Sequence, residues 1–88
     1  MDNAQYLSQL NTETKELYKK LDRRISDYNR AYDKLVSLCQ NAKVQGIDIE
    51  KPAKEFVKAV KACRKLNDQI YVRELKIRLL ENKYINLN

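Results

Sequence analysis

The chain has 88 residues with a formal net charge of +6, from 18 basic and 12 acidic side chains. That length allows one small domain whose core supplies only about 3–5 kcal/mol net, so a partner or a second copy is a natural supplement. A single Gly, a single Pro and no His, with hydrophobic residues at 43% of the chain, argue against a sheet, a disordered tail and imidazole chemistry.

The expected fold is all-α: a long antiparallel two-helix hairpin, coiled-coil-like, whose core is completed by dimerising into a four-helix bundle or by docking on a partner helix. One domain spans residues 1–88, with a helix over about 3–44, an elbow at 45–51 and a second helix over about 52–84. Asp2 suits the N-cap of the first arm. From there Leu7, Leu10, Leu17, Leu21, Ile25, Tyr28, Tyr32, Leu35 and Cys39 recur at steps of three or four, with Thr14 filling the gap and Tyr18 and Val36 widening the stripe. The mean step lies between the coiled-coil period of about 3.5 and the straight-helix period of about 3.6. Asn11-Thr12-Glu13-Thr14 is poor in helix formers, so a separate short helix over the first ten residues is the competing reading. The phase shared by Leu7, Leu10, Leu17 and Leu21 favours continuity. On the outer faces, Glu16 with Lys19 or Lys20, and Asp27 with Arg30, stand at pairing distance.

The elbow is placed at the only Gly and the only Pro. Gly46 fits the left-handed position after a helix, Ile47 and Ile49 cover the core end, Asp48 offers an N-cap, and Pro52 fits the first turn. In the second arm Ala53, Phe56, Val60, Cys63, Leu66, Ile70, Ile77 and Tyr84 form the matching stripe. Folding about the elbow sets Leu35 beside Phe56 and Val60, Tyr28 beside Leu66, Leu21 near Ile70, Leu17 near Ile77 and Leu10 near Tyr84. The end of the chain after Tyr84 lacks a capping signal and is expected to fray. Cys39 and Cys63 fall roughly 15 Å apart along the axis, too far for a disulfide, which needs Cα atoms within about 7 Å. Both read as small buried apolar residues in a reducing compartment.

Two features exceed what a hairpin needs. Val72, Leu75 and Leu79 lie opposite Ile70, Ile77 and Tyr84, with Leu80 between the faces and Tyr71 at the margin. Together these five are the candidate protein interface, set against the plainer reading of scattered surface leucines. Lys51, Lys54, Lys58, Lys61 and Lys65 form a basic stripe, continued by Lys76 and Lys83. Arg64 and the local cluster Lys19, Lys20, Arg23 and Arg24 support it. The second half of the chain, beyond Gly46, holds ten basic and six acidic residues against eight and six before it. These cations are the candidates for a nucleic acid or an acidic partner, and the same pattern also suits the solvated back of an amphipathic helix. No aromatic residue interleaves the stripe for base stacking.

Catalytic chemistry has no foothold. There is no Gly-rich loop, no Cys–His or Ser–His pair and no expected metal or cofactor, and the carboxylates are dispersed beside cations. Of the six tyrosines, Tyr28, Tyr32 and Tyr84 belong to the stripes, while Tyr6, Tyr18 and Tyr71 stand at the margins. The expected function is a non-enzymatic helical interaction protein, acting as an adaptor, chaperone or inhibitor on a protein partner or on itself, with no small-molecule substrate. A nucleic-acid-binding or nucleoprotein accessory protein is the alternative. No run approaches the ~20 apolar residues of a membrane span, and no secretory leader opens the chain, so a cytoplasmic location is expected. The Lys-, Asn- and Tyr-rich composition suits a small viral or bacteriophage protein, which would place it in host-cell cytoplasm.

Overall fold

A computed structural model describes residues 2–41 and 43–85. It contains two helices, α1 (Asn3–Cys39) and α2 (Gly46–Ile85), folded into an extended helical hairpin of 68 × 18 × 15 Å. Its radius of gyration is 19.7 Å, against roughly 12 Å for a compact domain of this length.

Asp2 caps α1 as expected. Its carboxylate accepts the Gln5 N–H at 2.7 Å, and the Gln5 side chain accepts the Asp2 N–H at 3.3 Å, a reciprocal capping box. The helix runs unbroken through Asn11–Thr14. Thr14 is tolerated there because its hydroxyl donates to the Leu10 carbonyl at 2.7 Å, which satisfies it inside the core.

The connection falls earlier than the sequence suggests, at residues 40–45 rather than 45–51. The reason is a turn that Asn41 builds with the residues just after it. The Asn41 side chain accepts the Lys43 N–H at 3.0 Å, and its carbonyl accepts the Val44 N–H at 3.1 Å, so a local turn competes successfully with another helical turn. Gly46 consequently opens α2 instead of terminating α1, and its φ is not positive. Asp48 is not the N-cap either. It lies in the first turn, where its carboxylate reaches back to the Gln45 N–H at 3.0 Å, the returning half of a capping box. Pro52 sits inside α2, buried, and removes the bond that the Asp48 carbonyl would otherwise accept.

The earlier turn moves the helix pairing by about one turn. Phe56 packs between Tyr28 and Tyr32, at ring-centroid distances of 5.0 and 5.9 Å, so its aromatic partners lie further from the elbow than Leu35. Ile70 packs with both Leu17 and Leu21, with Cys63 and Leu66 against the same cluster. The pairing expected for Leu10 with Tyr84, and the placement of Lys83, rest on side chains outside those described; of the end expected to fray after Tyr84, Ile85 is still helical and residues 86–88 lie outside the described residues. Leu10, at 2% exposure, and Ile70, at 4%, are the most deeply buried of the core residues.

Burial along both helices follows a strict seven-residue repeat. On α1 the seam is Leu7, Leu10, Thr14, Leu17, Leu21, Arg24, Tyr28, Ala31, Leu35 and Leu38, each at least half-buried except Arg24. On α2 it is Pro52, Phe56, Ala59, Cys63, Leu66, Ile70, Arg73, Ile77 and Leu80. Alternating steps of three and four make this a coiled-coil seam with a period of about 3.5. The sequence stripe on α1 drifts off it. Ile25, Tyr32 and Cys39 each fall one residue past the seam and are exposed, while Ala31 and Leu38 take the inward places. The cysteines are unbridged, and only Cys63 touches the core.

Candidate functional site

An antiparallel two-helix seam leaves two flanks between the helices and two outer backs. Side-chain pairing identifies the flanks. On one, the Tyr18 hydroxyl donates to Glu74 across the helices. That bond, with some desolvation and the nearby negative charge, raises the phenol above its ordinary pKa. On the other, the Arg73 Nε donates to Glu13 at 3.1 Å, and Lys34 approaches Glu55 at 3.6 Å. The Glu13 carboxyl is held below its usual range, first by the Gln9 side chain that donates to it and next by Arg73. Arg73 also donates to the Gln69 carbonyl at 3.2 Å, which fixes a guanidinium at a seam position.

The Tyr18 flank is apolar toward the elbow. Tyr18, Ile25, Tyr32, Val36 and Cys39 project from α1 beside the seam, and Val57 and Val60 project from α2 on the same side. All of these except half-buried Val60 are exposed. As a docking face this patch is not evident from sequence, because the same residues read equally well as the core stripe of a straight helix. The discriminating signal is the pair of apolar neighbours Ala31 and Leu38, which allow a seam of shorter period to close without them.

The Glu13 flank is basic in its middle. Lys20, Arg23, Arg24 and Arg30 of α1 and Lys65 of α2 line an open groove of about 810 Å³ floored by Ala62 and Leu66. Asp27 is the only carboxylate lining it, and it accepts from Arg24 at 3.4 Å and from Arg30 at 3.0 Å. Of the cationic candidates, the structure therefore brings Lys20, Arg23, Arg24 and Lys65 together. Lys19 pairs instead with Glu16 at 3.3 Å on the outer surface. Arg30, read from sequence only as an ion-pair partner, belongs to the groove.

The remaining lysines stand on the back of α2. Lys51, Lys54, Lys58 and Lys61 lead, at the same three-and-four spacing, past Lys65 at the groove's edge and through Asp68 into Val72, Leu75 and Leu79. The lysine stripe and the surplus apolar face are thus one outer line whose character changes at Asp68. Lys54, Lys58 and Lys61 border a shallow depression of about 440 Å³ with Ala53 and Val57. Arg64 is exposed beside that line. Lys76 does not continue it, since it stands on the Glu13 flank close enough to act on that carboxyl. Leu79, at 60% exposure, Val72 and Leu75 are exposed on the back, and Tyr71, at 65%, is exposed at its edge on the side of Val57. Leu80 is half-buried at a seam position facing α1 and is removed from that surface.

Among the described residues no group of three or more His, Cys, Asp or Glu side chains is placed to hold a metal ion. No helix there is long and apolar enough to cross a membrane. Comparison with protein-family models, curated proteins and solved structures gave no match to this chain.

Proposed function

We propose that this chain is a non-enzymatic helical interaction protein of the cytoplasm, in the manner of an adaptor, chaperone or inhibitor. It packs against protein helices, a second copy of itself first among them, through the apolar faces that its hairpin leaves uncovered. One observation carries the reading. The accessible surface is 7080 Å² for a 10.4 kDa chain, whereas a globular monomer of that mass exposes roughly 5,400 Å². The excess of about 1,700 Å² is ample for a stable interface, which takes about 800 Å² from each partner.

The apolar part of the Tyr18 flank is the face for a second copy. It borders the existing seam, so a second hairpin laid on it extends one core across four helices instead of opening a new one. Ile25, Tyr32 and Val36 from one helix and Val57 and Val60 from the other supply its contacts. The distal back of α2, with Val72, Leu75 and Leu79 and with Tyr71 at its edge toward the Tyr18 side, suits an amphipathic helix of a partner protein.

Sedimentation equilibrium tests this directly. A dimer is expected at micromolar concentration. Ile25→Glu combined with Val57→Glu should return a helical monomer, whereas Leu75→Glu with Leu79→Glu should leave the dimer intact and abolish partner docking. A wild-type chain that stays monomeric throughout would refute the second-copy assignment.

A further inference from the structure

We propose that the groove on the Glu13 flank binds the phosphate backbone of double-helical nucleic acid without reading its sequence. The inference stands apart from the apolar faces, because this flank lies on the other side of the seam and stays open when the Tyr18 flank is covered.

Its first support is the way charge is distributed. Toward the two ends of the flank, cations are matched by carboxylates, Arg73 by Glu13 and Lys34 by Glu55. In the middle, five cations face one carboxylate, Asp27. The excess is therefore local, and it comes from both helices, so a ligand lying between them is held from two sides. A solvated helix back gives no such convergence.

Its second support is shape. The α1 wall from Lys20 to Arg30 runs about 15 Å along the helix axis. One strand of a duplex presents a phosphate about every 3.4 Å of axis, so that wall spans about four phosphates. This matches the excess of cations over carboxylate in the lining. The guanidinium groups of Arg23, Arg24 and Arg30 supply forked donors suited to phosphate oxygens, and Lys20 and Lys65 supply compact charges.

The lining also selects among nucleic acids. It contains no aromatic residue, so successive unpaired bases find no stacking platform, which disfavours single strands. The groove has no projecting helix or ribbon to enter a major groove, so base edges go unread. DNA and RNA duplexes share the phosphate chemistry and both qualify.

The test is fluorescence anisotropy of labelled DNA and RNA duplexes of mixed sequence, with the full chain titrated across a salt series. Four neutralised phosphates predict a slope of about −3.5 in log K against log salt, or about a 100-fold loss between roughly 50 and 200 mM. Reversing the groove with Lys20→Glu, Arg23→Glu and Lys65→Glu should weaken binding at least tenfold more than Lys54→Glu, Lys58→Glu and Lys61→Glu on the back of α2. Asp27→Asn should tighten binding several-fold, a gain that misfolding cannot imitate, and circular dichroism checks that each variant keeps its helices. Three results would each overturn the proposal: duplex binding insensitive to salt, equal losses from the two triple variants, or tighter binding to polyglutamate than to either duplex. The last would assign the groove to an acidic protein instead.

Discussion

The two halves of the hairpin solve the same packing problem differently. In the middle and distal half, Leu10, Leu17, Leu21 and Ile70 are buried, Thr14 has its hydroxyl satisfied within α1, and Arg73 crosses the helices to Glu13. In the elbow half, Phe56 sits between two tyrosines and Pro52 is buried, yet Ile25, Tyr32, Val36, Ile47 and Val57 are exposed. Both halves carry ample apolar residues. What differs is their phase against the seven-residue seam. Where leucines coincide with it, two helices close the seam, and the apolar residues left outside it, Val72, Leu75 and Leu79 with Tyr71 at their edge, stand away from α1 on the outer side of α2. Where apolar residues fall one step beyond it, the hairpin acquires an open side.

The sharpest way to break this contrast is truncation of side chains in each half. Ile70→Ala should cost about 2–4 kcal/mol of unfolding free energy, since it leaves a cavity against Leu17 and Leu21. Ile25→Ala in the monomeric state should cost under about 0.5 kcal/mol. Chemical denaturation of both variants in a monomeric background measures the difference, and equal losses would mean that the two halves are packed alike.

A smaller effect separates them locally. Asp48→Ala removes the acceptor of the Gln45 N–H and should cost about 1 kcal/mol. Hydrogen exchange should quicken first in the opening turns of α2, with amides around Ile70 unchanged. Uniform acceleration would show that the elbow and the core unfold as one unit.

The smallest effect concerns pH. Glu13 has a depressed pKa in the fold, so its contribution is present above the unfolded carboxylate pKa and is lost as pH falls through the folded value. Solvent reaches both Glu13 and Arg73 and screens their pair, so the effect is small. Glu13→Gln should flatten the acid limb of a thermal-stability profile slightly without altering it near neutrality by more. Tyr18 has the opposite sign: its raised pKa gives stability that is present below the unfolded phenol value and lost as pH rises through the folded one. Tyr18→Phe should therefore lower stability slightly at neutral pH and make the alkaline limb shallower, the two proteins converging at high pH.

These contrasts also explain what could be read from the chain beforehand. The hairpin itself, the Asp2 cap and the meeting of Leu21 with Ile70 were legible, because long periodic stripes and capping residues act locally. The inward set on α1 was not, because two apolar residues stand side by side at Ala31–Tyr32 and Leu38–Cys39, and only the partner helix decides which turns in. The elbow's position is not legible, because Gly46 and Pro52 are the only residues of their kind, while the Asn41 turn depends on a side-chain hydrogen bond that Asn often makes and often does not. The groove is hidden in the sequence for a related reason: Lys65 joins the α1 cations only once the register is fixed.

Gly46 begins a helix with no positive φ, and a Cβ built there would meet nothing within 4 Å. The fold thus makes no demand for glycine at the one place that has it. Gly46→Ala would restrict the unfolded chain at no steric cost, a gain of about 0.4–1 kcal/mol. The position is a free adjustment point, distant in kind from every proposed binding face. It allows the hairpin to be stiffened for crystallisation or for affinity work while its surfaces stay as they are.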